Sequence, residues 1–192
     1  MMRELTRAWR RWAAHNRVRV TIVLALIYVA FSRPHWEGLA AGGALILAGQ
    51  AIRFWGAGYL EKNVRLASGG PYRLVRHPLY AGSFLMGLGL AISVENAVWW
   101  TLGYLLLFVG FFVPAIHVEE LRLQSIFGAE YQDLMVELPA LLPRLKRASS
   151  PPSAPIETAT FAWSRVLRNR EGRSVVAMSA LVIVQAAKIL MG

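Results

Sequence analysis

Two polar clusters hold most of the residues in this chain that are able to do chemistry. The first is Gly70-Pro71-Tyr72-Arg73-Leu74-Val75-Arg76-His77-Pro78-Leu79-Tyr80-Ala81-Gly82, which sets ionisable and turn-forming residues between two apolar stretches. The second, Glu119-Glu120-Leu121-Arg122-Leu123-Gln124-Ser125-Ile126-Phe127-Gly128-Ala129-Glu130-Tyr131, follows directly on another apolar run. Arg76 is able to bind a carboxylate in a two-pronged geometry, while Glu119 and Glu120 are able to pair an ammonium group or accept from hydroxyls. The two clusters are expected to meet in space. Taken singly, each also has a plainer reading: Arg76 and His77 as charges that fix membrane orientation, Glu119 and Glu120 as a solvated helix start. The chain has no cysteine, which excludes thiolate catalysis and disulfides, and its four histidines show no HExxH-type spacing.

The elements that must position these clusters are helices in a bilayer. Of the 192 residues 56% are hydrophobic and only 17% charged, with mean hydropathy +0.42, too apolar for an ordinary soluble domain. The expected fold is an all-α integral membrane protein with about five transmembrane helices, since ~20 mostly apolar residues cross a ~30 Å hydrocarbon core. They run from Val18 to Ser32, Gly38 to Leu60, Leu79 to Val94, Ala97 to His117 and Ser174 to Met191, the first and third being short for a full span. The first is expected to be retained rather than cleaved as a signal. Glycines at 56, 58, 87, 89, 103 and 110 let helix backbones approach closely.

Of the 21 Lys and Arg, six lie in residues 1–19, four in 61–78 and eight in 118–173. Positive residues near span ends stay cytoplasmic, so the N-terminus and both polar clusters are expected inside and the C-terminus outside. The net charge of +10 flanks apolar spans instead of forming one soluble patch, which points to anionic membrane lipids and away from nucleic acid. Arg3, Arg7, Arg10, Arg11 and Arg17 with Trp9 and Trp12 fit an interfacial helix before the first span, or a disordered basic tail. Residues 147–157 contain three prolines and little to bury, and read as a linker. The chain thus divides into a core, 1–146, the linker, and a segment at 158–192 that carries a basic amphipathic stretch and the last span. That last segment is expected to be dispensable for cofactor binding. Arg53, deep in the second span with Gln50 one turn away, is a functional hypothesis in its own right.

The pairing Gly-Pro-Tyr-x3-Arg-His-Pro-x-Tyr-x-Gly with Glu-Glu-x2-Leu-x3-Phe-Gly-x-Glu-Tyr, separated by an apolar hairpin, resembles the isoprenylcysteine carboxyl methyltransferase family and its phospholipid methyltransferase relatives over residues 38–143. The resemblance implies a small helical membrane enzyme that binds S-adenosylmethionine on the cytoplasmic side and methylates a lipophilic acceptor arriving from the bilayer. It implies cofactor contacts at Tyr72, His77, Pro78, Leu79, Tyr80, Gly82, Glu119, Leu123, Phe127, Gly128 and Tyr131, with Arg76 and Glu120 acting on the acceptor. Proline after His77 disfavours helix at His77 and suits the first turn of the third span, so a helix starting there is expected to offer free N–H groups to the cofactor carboxylate.

Methyl transfer from a sulfonium needs alignment and exclusion of water more than acid–base chemistry. A carboxylate acceptor needs no base. An amine acceptor would need a carboxylate such as Glu120 to take its proton. The chain departs from prenylcysteine-methylating relatives in Pro114-Ala115-Ile116-His117-Val118, where a basic residue is expected just ahead of the acidic pair, and again at Leu134 and Glu137-Leu138-Pro139. A phospholipid amine N-methyltransferase, a sterol-type reductase using NADPH and a non-catalytic membrane scaffold are the alternatives. The Ile126-Phe127-Gly128-Ala129-Glu130-Tyr131 ending favours the methyl donor over NADPH.

Overall fold

The computed structural model describes residues 2–143 and 160–191. The expected linker, 147–157, lies outside the described residues. The described chain is helical throughout, with the single backbone bridge Pro34 to Val94 outside the helices. Helix α1 (Met2–Phe31) contains no glycine or proline, so nothing interrupts its backbone ladder, and the expected interfacial helix and first span form one continuous rod. Trp9 and Trp12 stack at 5.2 Å and both lie against Phe111.

Helices α2 (Trp36–Tyr59) and α3 (Pro78–Ile92) form an antiparallel pair, joined by a loop that includes a 3-10 turn at Gly70–Arg73. Helix α4 (Ala97–Leu107) runs through a π-helical turn, Phe108–Phe112, into α5 (Val113–Phe127); α6 (Ala129–Glu137), α7 (Trp163–Arg168) and α8 (Gly172–Met191) complete the described chain. Four stretches are long and apolar enough to cross a membrane: Thr6–Phe31, Trp36–Tyr59, Ala97–Phe127 and Gly172–Met191. The remaining expected span, α3, has 15 residues, about 22 Å of helix, so it is short of a full crossing by itself. The protein is an all-α integral membrane protein.

The α2–α3 pair is set by four glycines. Gly42 and Gly49 on α2 are seven residues apart, as are Gly82 and Gly89 on α3, so each pair returns to one helix face. A Cβ at Gly49 or at Gly82 would lie 2.5 Å from the other residue's carbonyl oxygen, and one at Gly89 would lie 2.5 Å from the Gly42 oxygen. The backbones touch at two levels, and no other residue fits at either. This contact fixes where α3 begins, and with it the first motif.

At the opposite end, the Tyr28 hydroxyl donates to the Leu90 carbonyl at 2.7 Å and lies 2.9 Å from Ser93 Oγ, and the Glu95 N–H bonds to the Arg33 carbonyl at 2.8 Å. Helix α8 docks on the same end of α1, where Lys188 Nζ donates to the carbonyls of Val29 and Ser32, and Gln185 Nε2 donates to Ser32 Oγ at 3.1 Å. These bonds take up C-terminal carbonyls of α1 that have no partner within the helix.

Replacing Gly49 by valine is expected to lower stability by about 1–3 kcal/mol, because its side chain meets backbone that cannot step aside. Gly103 has nothing within 4 Å of its Cβ position, so Gly103→Val should leave the midpoint unchanged. Thermal unfolding of both variants in one detergent decides it; equal midpoints would remove the glycine contact from the account of the fold.

Candidate active site

Pro78 cannot continue a helix backwards through His77, and the chain entering α3 is not helical: His77 has φ −127° and ψ 63°. This stretch of backbone is held by a distant segment. The N–H groups of Arg76 and His77 donate to the carbonyls of Pro139 and Ala140 at 2.9 and 3.0 Å. The chain following α6 therefore returns to clamp the first motif. The N–H groups of both Tyr80 and Ala81 bond to the His77 carbonyl, and Pro78 has none. The expected row of free N–H groups at the start of α3 is thus largely occupied within the protein, and side chains carry the site.

Those side chains converge as the sequence led us to expect. Glu120 Oε1 lies 2.9 Å from Arg76 Nη1 and 3.2 Å from His77 Nε2. One turn into α3 the Tyr80 hydroxyl donates to Glu119 Oε2 at 2.8 Å. The Tyr80 ring packs edge-on against His77 at 5.8 Å and Phe112 at 6.4 Å. Arg17, from α1, donates to the Tyr80 hydroxyl and sets its guanidinium 5.3 Å from the centre of the Tyr80 ring, a cation–π contact. The acidic pair of the second motif is therefore engaged, residue by residue, by the first motif, and the first helix braces Tyr80.

Tyr131 and Tyr72 close the inner side of the cluster. Tyr131 is 1% exposed, and its hydroxyl has no hydrogen-bond partner of good geometry among the described residues. Burial, with the negative charge of Glu120 next in weight, pushes its phenol up to about 12, so it is a neutral hydroxyl at physiological pH and keeps its proton to donate. Burial, followed by the charges of Glu119 and Glu171, pushes Tyr72 well above the ordinary phenol range. Leu123 and Phe127 occupy the following turns of α5 on the Glu119 face and are half-exposed. Gly128, at φ +56°, turns the chain from α5 into α6. Gly82 faces α2, where its Cβ would meet Gly49 and Arg53, so its role is helix packing. Pro78 is buried, and the Leu79 carbonyl accepts a bond from Arg53 Nη1 at 3.3 Å.

That arginine leads to a second polar node. Arg53 Nε donates to Glu171 Oε2 at 2.9 Å and Nη2 to Oε1 at 3.1 Å, a two-pronged pair, and Nη1 donates to Ser83 Oγ at 2.5 Å. Glu171 is 3% exposed. Ser174 Oγ, on the next turn, approaches Glu171 and lies 3.1 Å from Gln50 Oε1. The C-terminal segment also covers the end of α2: Asn169 Nδ2 donates to the carbonyls of Ala57 and Leu60 at 3.0 Å, and the Ala162 N–H donates to Gly58 at 3.1 Å. Desolvation pushes the Glu61 carboxyl up, but hydrogen bonds and charge from Arg165 and Arg65 outweigh it and hold the group below the usual carboxylate range.

The phospholipid methyltransferase family profile matches residues 39–130, a stretch that holds both motifs. The cobalt-zinc-cadmium resistance protein CzcN of Cupriavidus metallidurans is 31% identical over 153 residues, 73% of this chain and 70% of its own. The protein-S-isoprenylcysteine O-methyltransferase of Schizosaccharomyces pombe is 35% identical over 100 residues, 52% of this chain and 42% of its own. The chain belongs to the isoprenylcysteine carboxyl methyltransferase family, with its phospholipid methyltransferase relatives. The probable protein-S-isoprenylcysteine O-methyltransferase of Oryza sativa subsp. indica is 30% identical over 100 residues, 52% of each chain. No solved structure matches. The protein is a membrane methyltransferase.

Arg17, Glu171 and the Pro139–Ala140 carbonyls join these two polar clusters without being among the site residues expected from sequence. Arg17 was read only as part of a basic helix, although an arginine entering an apolar run is costly enough to demand a partner. Glu171 is the lone acid among Arg165, Arg168, Arg170 and Arg173, just ahead of the last span, and that isolation was its signal. The Pro139–Ala140 carbonyls carry no side-chain signal at all.

The Arg53–Glu171 pair ties the C-terminal segment to α2. Arg53 faces the first turn of α3, and without Glu171 its charge stays behind at membrane depth with only neutral partners. Breaking a buried pair from one side costs roughly 3–5 kcal/mol. Glu171→Ala is therefore expected to lower the thermal midpoint strongly, and Arg53→Met combined with Glu171→Leu to recover most of the loss. Additive losses in the double variant would show that the two residues act independently.

Proposed function

We propose that the protein transfers the methyl group of S-adenosylmethionine to the carboxylate of a lipophilic acceptor in the membrane, a reaction of the protein-S-isoprenylcysteine carboxyl O-methyltransferase type. The observation that carries this reading is the engagement of both carboxylates of the acidic pair by the first motif, Glu120 with Arg76 and His77, Glu119 with Tyr80. Such a constellation suits a ligand bearing both signs of charge. Arg76 takes a carboxylate, Glu119 and Glu120 take an ammonium group and sugar hydroxyls, and the unpartnered Tyr131 hydroxyl is a buried donor still to be used. Leu123 and Phe127 offer an apolar wall beside them. When bound, S-adenosylmethionine supplies an electrophilic methyl group on a sulfonium, displaced in line.

The charges support a carboxylate acceptor. Arg17 and Arg76 balance the charges of Glu119 and Glu120. A cofactor with one net positive charge leaves room for an anion and disfavours a cation. An ionised carboxylate needs no base, whereas an amine would have to give a proton to Glu120, which is already ion-paired with Arg76 and within hydrogen-bond distance of His77 and would weaken both contacts. The phospholipid amine N-methyltransferase remains the second reading on the family profile alone.

Labelled S-adenosylmethionine should bind the protein in lipid nanodiscs, with affinity reduced about ten- to a hundredfold by Glu119→Gln or Glu120→Gln, the loss of a charge-assisted hydrogen bond. Alkali should release labelled methanol from the product if it is a methyl ester. Saturable binding that both variants leave intact would place the cofactor elsewhere, and an alkali-stable product would transfer the case to the amine.

We further infer that the N-terminus and the site face the cytoplasm and that the C-terminus lies outside, because 18 of the 21 Lys and Arg fall on the segments that share the site's side. The sequence has no cysteine, so single-cysteine variants report cleanly. An impermeant maleimide should label Glu95→Cys in intact cells and Lys62→Cys only after permeabilisation; the opposite pattern inverts the topology.

A further inference from the structure

The loop after α2 and the α7–α8 corner enclose a recess of about 440 Å³, within the size range of ligand sites. Leu60, Glu61, Lys62 and Val64 line one wall, Arg168 and Arg170 the other. Its charges are not balanced. The single lining carboxylate, Glu61, is held by both Arg65, at 2.9 Å, and Arg165. Lys62, Arg168 and Arg170 are exposed, and none has a carboxylate partner among the described residues. Arg170 sits at φ +59°, a backbone state that few residues adopt without cause, and this state marks the sharp turn into α8.

The surroundings place the recess at a bilayer surface. It lies where α2 ends and α8 begins, two of the helices apolar enough to span. Trp163 is 65% exposed and Leu167 76% exposed on α7, apolar side chains beside arginines on a helix too short to bury them in itself. An indole with an amphipathic rim sits naturally at headgroup depth. Cations around a hollow, with apolar groups next to it, match a phosphate tethered to acyl chains better than a free anion, which would gain nothing from Trp163 and Leu167. A nucleic-acid backbone needs a row of cations along a groove; here three cations gather around one half-open recess.

We propose that this recess binds the headgroup of an anionic phospholipid, with Lys62, Arg168 and Arg170 around the phosphate and with Trp163 and Leu167 against the acyl region. The site is separate from the Arg76–Glu120 cluster. It also has a structural consequence, because Asn169, which caps the end of α2, lines the recess between Arg168 and Arg170. Occupancy by lipid secures the loop that carries the first motif.

The test uses the full chain in a neutral detergent, titrated with short-chain phosphatidylglycerol or phosphatidylcholine and read by native mass spectrometry. Phosphatidylglycerol should be retained in preference to phosphatidylcholine. The triple variant Lys62→Gln, Arg168→Gln, Arg170→Asn should lower that affinity about a hundredfold, since each cation near the surface contributes roughly fivefold. Asparagine at 170 keeps the positive φ accessible. Arg10→Gln, Arg11→Gln and Arg122→Gln, which remove the same charge elsewhere, should change it little. Equal loss in both triples would show diffuse attraction in place of a site. Equal retention of the two lipids would overturn the proposal, and so would displacement by inorganic phosphate at the same concentration, which would show a site for any soluble anion. Thermal melting of the triple variant alongside wild type separates loss of the site from loss of the fold, and a variant that melts low is replaced by the three single substitutions, each expected to lose about fivefold.

Discussion

A charge at membrane depth has to be met by an opposite charge or by several hydrogen bonds, and that requirement organises this protein. Arg53, Arg76 and Arg17 sit at or inside the ends of apolar helices, and each is met from a different part of the chain: Glu171 from the C-terminal corner, Glu120 from α5, Tyr80 from α3. Each contact joins segments that sequence separates by 44 to 118 residues. Van der Waals packing gives the bundle its closeness, since lipid tails are as apolar as the helices. The ion pairs give it register, because a one-turn slip of α5 against α3 would leave two carboxylates and an arginine without partners.

The glycine contacts and the ion pairs act on the same element. Gly49 and Gly82 bring α3 against α2 so closely that Arg53, four residues on from Gly49, reaches across to the Leu79 carbonyl and Ser83. A longer side chain at either glycine would move the start of α3 away from Arg53 and so away from Glu171. Helix α3 is short for a crossing, and this tight lateral support is what lets a 15-residue helix carry the motif at its end.

Much of this was legible in the sequence, and the reasons for the remainder are physical. Apolar length placed α2, α3 and α8 to within two residues at each end, but α1 begins at Met2 instead of Val18 and α5 runs on to Phe127 instead of stopping at His117, because the helical backbone continues beyond the apolar run; the proline after His77 marked the start of α3. The two motifs announced their meeting through complementary charge. The clamp of Arg76 and His77 by Pro139 and Ala140 was invisible because backbone carbonyls have no residue signature. The pairing of Arg53 was open because a lone arginine declares a need for a partner without saying which acid supplies it. The C-terminal corner was read as an appendage because a proline-rich stretch separates it from the core; sequence separation says nothing about whether Asn169 caps the end of α2.

The π-helical turn bears on why both carboxylates work. In an α-helix, adjacent residues diverge by about 100°, so Glu119 and Glu120 cannot address one spot, and an ordinary helix packed on α3 would be expected to use one and leave the other to solvent. Here the partners diverge as well. Arg76 and His77 lie on non-helical chain before Pro78, whereas Tyr80 lies on the helix after it, so the two targets are set apart by the change of backbone at the proline. On the other side, Phe108–Phe112 takes up the wider π-turn just before Pro114, a residue with no N–H to give. That turn sets the angle at which α5 arrives and aligns Phe112 with the Tyr80 ring. Two adjacent acids therefore meet two separated partners because each helix changes its backbone geometry within a few residues of the site.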